Sequence, residues 1–211
     1  MAEQIRKAAS LIAVRDAPDG LEILVLERGS VNRFLPGYVV FPGGAVDLED
    51  EQLATRWFGD EKEAARAASV RELVEEAGLG LTSGGMIPAA SLEVIDDAPP
   101  SRAQLPEIAH WVAPERVPVR FDARFFAAEA PSELMPTPDG EETAAAWWVS
   151  PRVLLAEWEA GAHKLYWPTF HTMMWLARCL RAEDLLSLRF DTREPTDQEE
   201  AELPRSVFRQ D

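Results

Sequence analysis

Residues 71–79, RELVEEAGL, gather Arg71, Glu72, Glu75 and Glu76 within little more than two helical turns. At about 100° per residue the three glutamates occupy relative positions 0, 3 and 4 and share one helical face. Val70, Leu73, Val74 and Ala77 lie on the opposite side and anchor the helix in a core. Like charges at this spacing cost about a few tenths of a kcal/mol per exposed pair. A hard divalent cation would remove that cost, because Mg²⁺ takes carboxylate oxygens, keeps several waters and commonly bridges to ligand phosphates. Arg71 reaches Glu75 one turn on and can hold its carboxylate in one rotamer. The same residues also read as a solvated acidic face, and spacing alone leaves both readings open.

The segments around this helix must position it. AASLIAVRDAPDGLEILVLERG reads as two β-runs joined at Asp16 to Gly20, a hairpin composition. The apolar run Tyr38 to Phe41 predicts a strand that gives way to a turn at Pro42-Gly43-Gly44. Leu48 to Leu79 is charged, Ala-rich and free of proline, which predicts two helices split at Gly59-Asp60, with Gly78 as a C-terminal cap. Residues 80–118 are mixed, with one short helix expected near Ala89 to Ile95. Strands are expected in VRFDARFFAAEA and TAAAWWV, separated by a Pro-rich loop carrying Asp139, Glu141 and Glu142. Helices follow over Pro151 to Ala160 and Thr169 to Ala182, and residues 191–211 read as an irregular charged tail. This order predicts a single domain over 1–211, with a core at 8–182, built as a mixed-sheet α/β or α+β sandwich.

Composition narrows the function. With 37 acidic against 21 basic residues the formal charge is −16, which argues against nucleic acid or an anionic membrane as partner. A phosphate-bearing ligand would need a cation to mediate its binding. No stretch approaches the roughly 20 apolar residues that span a bilayer. Ala8 to Val14, although preceded by Arg6 and Lys7, lacks a small-residue cleavage site and reads as a first strand rather than a leader. The single cysteine, Cys179, cannot form an intramolecular disulfide and sits among apolar residues, as suits an inert thiol in a cytoplasmic protein. His110, His163 and His171 lack zinc spacing and receive no catalytic role.

FPGGAVDLED followed by VRELVEEAGL resembles the signature of the Nudix hydrolases, G-x5-E-x7-R-E-U-x-E-E-x-G-U with U aliphatic. Arg71, Glu72, Leu73, Glu75, Glu76, Gly78 and Leu79 fit its second half. Gly44 fits the first, with Asp50 where the family has Glu. Residues 51–70 stand where the pattern allows seven, an insertion also found in peroxisomal coenzyme A diphosphatase-like members, and it weakens the assignment of a role to Asp50. The resemblance implies an α/β/α sandwich and metal-dependent cleavage of a nucleoside diphosphate linked to another moiety. It implies Mg²⁺ or Mn²⁺ held by Glu72, Glu75 and Glu76, with the Gly44 carbonyl as a further ligand and Arg71 orienting Glu75. As base it offers Glu75, or Glu142 or Glu141 from the later loop.

The substrate is set outside that signature. GYVVFPGG has the form G-x-V-x-F-P-G-G, which resembles the end of a motif associated with coenzyme A diphosphatases, and Arg28 after ILVLER resembles its starting arginine. VNRFLPG lacks the histidine expected between them. CoA or an acyl-CoA is therefore the leading substrate, with Arg28 and Arg33 as phosphate clamps, Phe34 as a stacking residue and Gly43 in the binding turn. ADP-ribose, NADH or a dinucleoside polyphosphate is the alternative within the enzyme class, and a non-catalytic nucleotide sensor the alternative outside it. The apolar C-terminal helices serve either as core or as a homodimer surface.

Overall fold

The computed structural model describes residues 5–31, 34–113, 115 and 120–208. Strands β1 (Arg6–Ala17) and β2 (Gly20–Arg28) form the expected hairpin, paired in register from Val14↔Ile23 to Ala17↔Gly20. The two strands then diverge. Into the gap between them run β3 (Val39–Val40), which pairs with β2 at Leu26 and Glu27, and β4 (Gly43–Ala45), which pairs with β1 at Ala8 to Ser10. The chain bends at Pro42, as its composition predicts, but Gly43-Gly44 do not continue the turn. Their backbone groups find ladder partners in the opened hairpin and run as strand β4.

The long charged stretch folds as two helices, α1 (Leu48–Phe58) and α2 (Ala64–Ala77), joined through a 3₁₀ turn at Glu61–Glu63. Gly59 and Gly78 end them in the left-handed conformation, φ 70° and 64°, which costs glycine little. Beyond lies a small hairpin of β5 (Leu79–Thr82) and β6 (Gly85–Pro88) that the mixed composition concealed. Helix α3 (Glu93–Asp97) forms a few residues later than expected, and β7 (Glu107–Val112) was hidden among the prolines.

Strand β8 (Phe121–Glu129) runs parallel to β1 from Arg6↔Phe121 to Val14↔Glu129 and pairs antiparallel with β7 on its other edge. Strand β9 (Thr143–Val149) closes the outer edge of β2. The sheet is therefore mixed. Period-2 alternation buries both of its faces. Leu11, Ala13, Leu24, Leu26, Phe126 and Ala128 face α1 and α2. Ile12, Val14, Ile23, Val25, Phe125 and Ala127 face the opposite helix layer. That layer comprises α4 (Pro151–Glu159), α5 (Trp167–Leu176) and α6 (Ala182–Ser187). The expected α/β/α sandwich is thus present, although the helix foreseen over Thr169 to Ala182 starts earlier and breaks after Leu176. There the Ala177 carbonyl accepts from Arg152 Nε at 2.9 Å rather than continuing the helix.

The tail is not irregular. It forms α7 (Asp197–Glu202), capped by Thr196, and a 3₁₀ turn at Arg205–Val207, with Phe190 and Val207 buried in the core. Among the described residues no helix is long and apolar enough to cross a membrane.

Candidate active site

Helix α2 lies against β4, and this contact builds the site. Its three glutamates share the expected side of the helix but not one environment. Glu76 is 5% exposed, and its Oε2 accepts the Gly43 N–H at 2.9 Å, while Arg28 Nη1 stands 3.9 Å from its Oε1. Glu72 presses on Gly44 so closely that a Cβ there would run into its carboxylate. Glu75 remains half exposed, 2.7 Å from Arg71 Nη1.

Arg71 does hold Glu75, as foreseen, but its principal partner is another. The fully buried Asp50 accepts from Arg71 Nε at 2.9 Å and from Nη2 at 3.0 Å, and its Oδ2 also caps the Asp47 N–H at 2.8 Å. Further bonds run from Arg71 to Glu72 Oε1 at 2.9 Å and the Ala45 carbonyl at 3.1 Å. Burial would lower the guanidinium pKa, but the Asp50 hydrogen bonds and the charges of Glu72, Asp50 and Glu75 together hold it above its usual value. The insertion therefore does not displace Asp50. The first turn of α1 delivers this carboxylate to Arg71, and residues 51–70 run from there through the rest of α1 into α2.

A cavity of about 1260 Å³ opens beside these groups. Its lining includes Gly43, Gly44, Glu72, Glu76, Arg28 and Glu142 together with the aromatic rings of Phe34, Trp111, Phe121, Phe125 and Tyr166. The Phe34 ring meets Phe121 edge-on at 5.4 Å, and its carbonyl accepts from Arg28 Nε at 3.0 Å. Glu142 sits on a loop fixed by the Asp139 carboxylate, which accepts the N–H groups of Glu141, Glu142 and Thr143 at 2.8–3.2 Å. Of the residues singled out from sequence, the fold brings Arg28, Phe34, Gly43, Gly44, Glu72, Glu76 and Glu142 to one cavity. Arg71 and Glu75 adjoin it without lining it, and Arg33 lies outside the described residues. Sequence reasoning missed Trp111, Tyr166 and the tail residues that line the same space. Asp50 stands in the sequence at the first glutamate position of the motif, where the insertion after it argued against a role that its bonds to Arg71 now give it.

Burial is the main cause that raises the Glu72 pKa, against the lowering effect of Arg71 and with the charges of Glu75 and Asp50 adding to it. Burial also pushes that of Glu76 up to about 8, with the Glu72 charge adding to it. Two desolvated carboxylates with hard oxygen donors fit Mg²⁺ or Mn²⁺. Among the described residues no three His, Cys, Asp or Glu side chains converge on one point.

The fold and the site are those of a Nudix-type hydrolase. The chain matches the NUDIX domain model over residues 5–168, well over half its length, and it belongs to that family. Members generally use divalent metal ions. The chain is similar to putative nudix hydrolase 7 of Caenorhabditis elegans, 28% identical over 189 residues that make up 82% of this chain and 61% of that protein. It thus spans less than two thirds of that relative's length. It is also similar to the crystal structure of a NUDIX hydrolase from Alicyclobacillus acidocaldarius, with 31% identity, a TM-score of 0.77, and coverage of 90% of this chain and 98% of that one. The NUDIX domain of Shewanella oneidensis NrtR, complexed with ADP ribose, superposes with a TM-score of 0.54 at 12% identity, covering 83% and 88% of the two chains. At that identity the likeness is one of fold.

Proposed function

We propose that the protein hydrolyses a pyrophosphate bond in a small nucleoside diphosphate derivative, with CoA or an acyl-CoA as the leading substrate. The observation that carries the pyrophosphatase reading is a single cavity lined both by buried carboxylates beside Gly43 and Gly44 and by aromatic rings. The carboxylates suit a cation-neutralised pyrophosphate, and the aromatic rings suit a base or an apolar chain. The CoA reading rests on Arg28 and the G-x-V-x-F-P-G-G run at Gly37 to Gly44, and it is supported by a cavity roomy enough for an extended ligand.

In this mechanism water attacks one phosphorus, the bridging P–O bond breaks, and the second phosphate leaves with the bridging oxygen. Glu72 and Glu76 would hold the cation, with the Gly44 carbonyl as a further donor. Bound there, Mg²⁺ or Mn²⁺ would supply Lewis-acid stabilisation of developing charge and lower the pKa of water. Arg71 fixes the rotamers of Glu72 and Glu75. Arg28, within reach of Glu76, binds phosphate oxygens. Glu142 is the favoured base, because it lines the cavity whereas Glu75 turns to Arg71.

Mass-spectrometric product analysis tests this, using Mg²⁺ or Mn²⁺ and a panel of CoA, acyl-CoAs, ADP-ribose, NADH and diadenosine polyphosphates. Release of 3′,5′-ADP from the CoA compounds, reduced roughly 100-fold or more in Glu76→Gln, is the expected outcome. AMP from ADP-ribose or NADH alone would overturn the substrate. No cleavage with either metal would overturn the enzyme reading in favour of a sensor.

A further inference from the structure

The family match ends at residue 168, yet the cavity does not. Glu194, Pro195, Glu200, Arg205 and Phe208 line it, all from the segment after α6. This segment is tied down on both sides of the space it covers. On one side the Arg193 carbonyl accepts from Trp167 Nε1 at 2.9 Å, and the Phe208 ring lies 5.6 Å from that of Trp167. On the other the Ser206 carbonyl accepts from the Tyr38 hydroxyl at 3.0 Å. Phe190 and the fully buried Val207 pin the segment to the core, and a bidentate Arg193–Glu199 pair at 2.6 and 2.7 Å braces α7. A segment whose charged composition reads as an irregular tail is thus held in place as a wall.

Arg205 stands on that wall, exposed to the cavity. Among the described residues its guanidinium makes no hydrogen bond or ion pair, in contrast to Arg28, which bonds Phe34 and faces Glu76. The chain neighbours of Arg205, Ser206 and Phe208, contact Tyr38 and Trp167, whereas Glu76 and Glu72 sit against Gly43 and Gly44, so Arg205 serves a different part of the cavity. In a chain of net charge −16, a cation left unneutralised on a cavity wall is a recognition group for an anion.

We infer that the C-terminal segment 190–208 completes the substrate site, and that Arg205 is a specificity-determining residue that binds an anionic group of the substrate remote from the scissile pyrophosphate. The inference rests on the reading of this cavity as the substrate site, but not on CoA being the substrate.

The test is steady-state kinetics of Arg205→Ala and Arg205→Lys in the full chain, on whichever panel compound the wild type cleaves best. For Arg205→Ala, KM rises about tenfold, the loss expected for one charge-assisted hydrogen bond, while kcat stays within about twofold and the melting temperature is unchanged. Arg205→Lys recovers most of the loss. An unchanged KM in Arg205→Ala overturns the inference even if hydrolysis itself is confirmed. A matching fall in melting temperature also overturns it, by making the residue structural. If the best substrate proves to be ADP-ribose, the same KM shift upholds the wall and only the CoA reading falls. If nothing is cleaved, calorimetric titration of ADP replaces kinetics, and an equal affinity for wild type and Arg205→Ala, or no binding to either, overturns the inference.

Discussion

Arg71 and Asp50 form the joint on which the acidic cluster turns. Arg71 is 11% exposed and Asp50 not at all, and a buried guanidinium deprived of its bidentate partner keeps its desolvation cost. Glu72 and Glu75 still face Arg71 when Asp50 is removed, so Asp50→Asn is expected near the lower end of the usual range for breaking a buried pair. Urea unfolding should show a loss of about 3 kcal/mol. A loss below about 0.5 kcal/mol would mean that Arg71 needs only its helix neighbours. At this scale the site was half legible. Helical spacing fixed which glutamates share a side of α2, since angular position follows from 3.6 residues per turn. It could not separate the buried Glu76 from the half-exposed Glu75. That difference depends on β4, which lies about thirty positions upstream and packs against one and not the other.

Strands β3 and β4 are the elements that make the site possible, and they are where local rules failed. Pro-Gly-Gly reads as a turn because glycine and proline dominate turns, and the chain does bend at Pro42, but the diverging β1–β2 hairpin offered unpaired edges, and at Gly43-Gly44 pairing overrode local preference. The glycines serve close approach instead. A Cβ on Gly43 would meet the Ala9 carbonyl, Ser10 Oγ at 2.5 Å and Ser10 Cα at 2.8 Å, so backbone as well as side chain would have to yield. Gly43→Ala should therefore destabilise the protein by about 1–3 kcal/mol, the range for overpacking, with an unchanged denaturant m-value. A variant as stable as wild type would show that β4 can lift off β1. The parallel pairing of β8 with β1 and the position of β7 were equally beyond local reading, because they depend on partners far away in the chain. The alternating apolar faces of β1 and β2, by contrast, were plain from period-2 pattern alone.

For the whole molecule, the strongly acidic balance was legible as a count, but its consequence depends on where the carboxylates sit. Most are solvated, and the tail illustrates the other extreme from Glu76. Glu199, hydrogen-bonded by Arg193, is held down to about 2, so its contribution is present above its usual 4.5 and is lost only as pH falls toward 2. Glu76 behaves in the opposite sense. Its folded pKa of about 8 lies above the usual 4.5, because burial favours the neutral carboxyl. In the metal-free protein its contribution is therefore complete below about 4.5 and is lost as pH rises through about 8. Glu72, raised by burial as well, adds in the same direction. Thermal melts of chelator-treated protein should show stability falling as pH rises from about 5 to 8. A divalent cation favours the ionised carboxylates and binds the folded state, so it stabilises by mass action. Millimolar Mg²⁺ should accordingly raise the melting temperature more at pH 8 than at pH 5.5. Equal increments at both pH values, or none, would mean that the cation is not held by Glu72 and Glu76. Glu76→Gln, uncharged at any pH, should flatten both the metal-free pH profile and the Mg²⁺ increment, which ties the whole-molecule response to the one buried carboxylate that Gly43 holds.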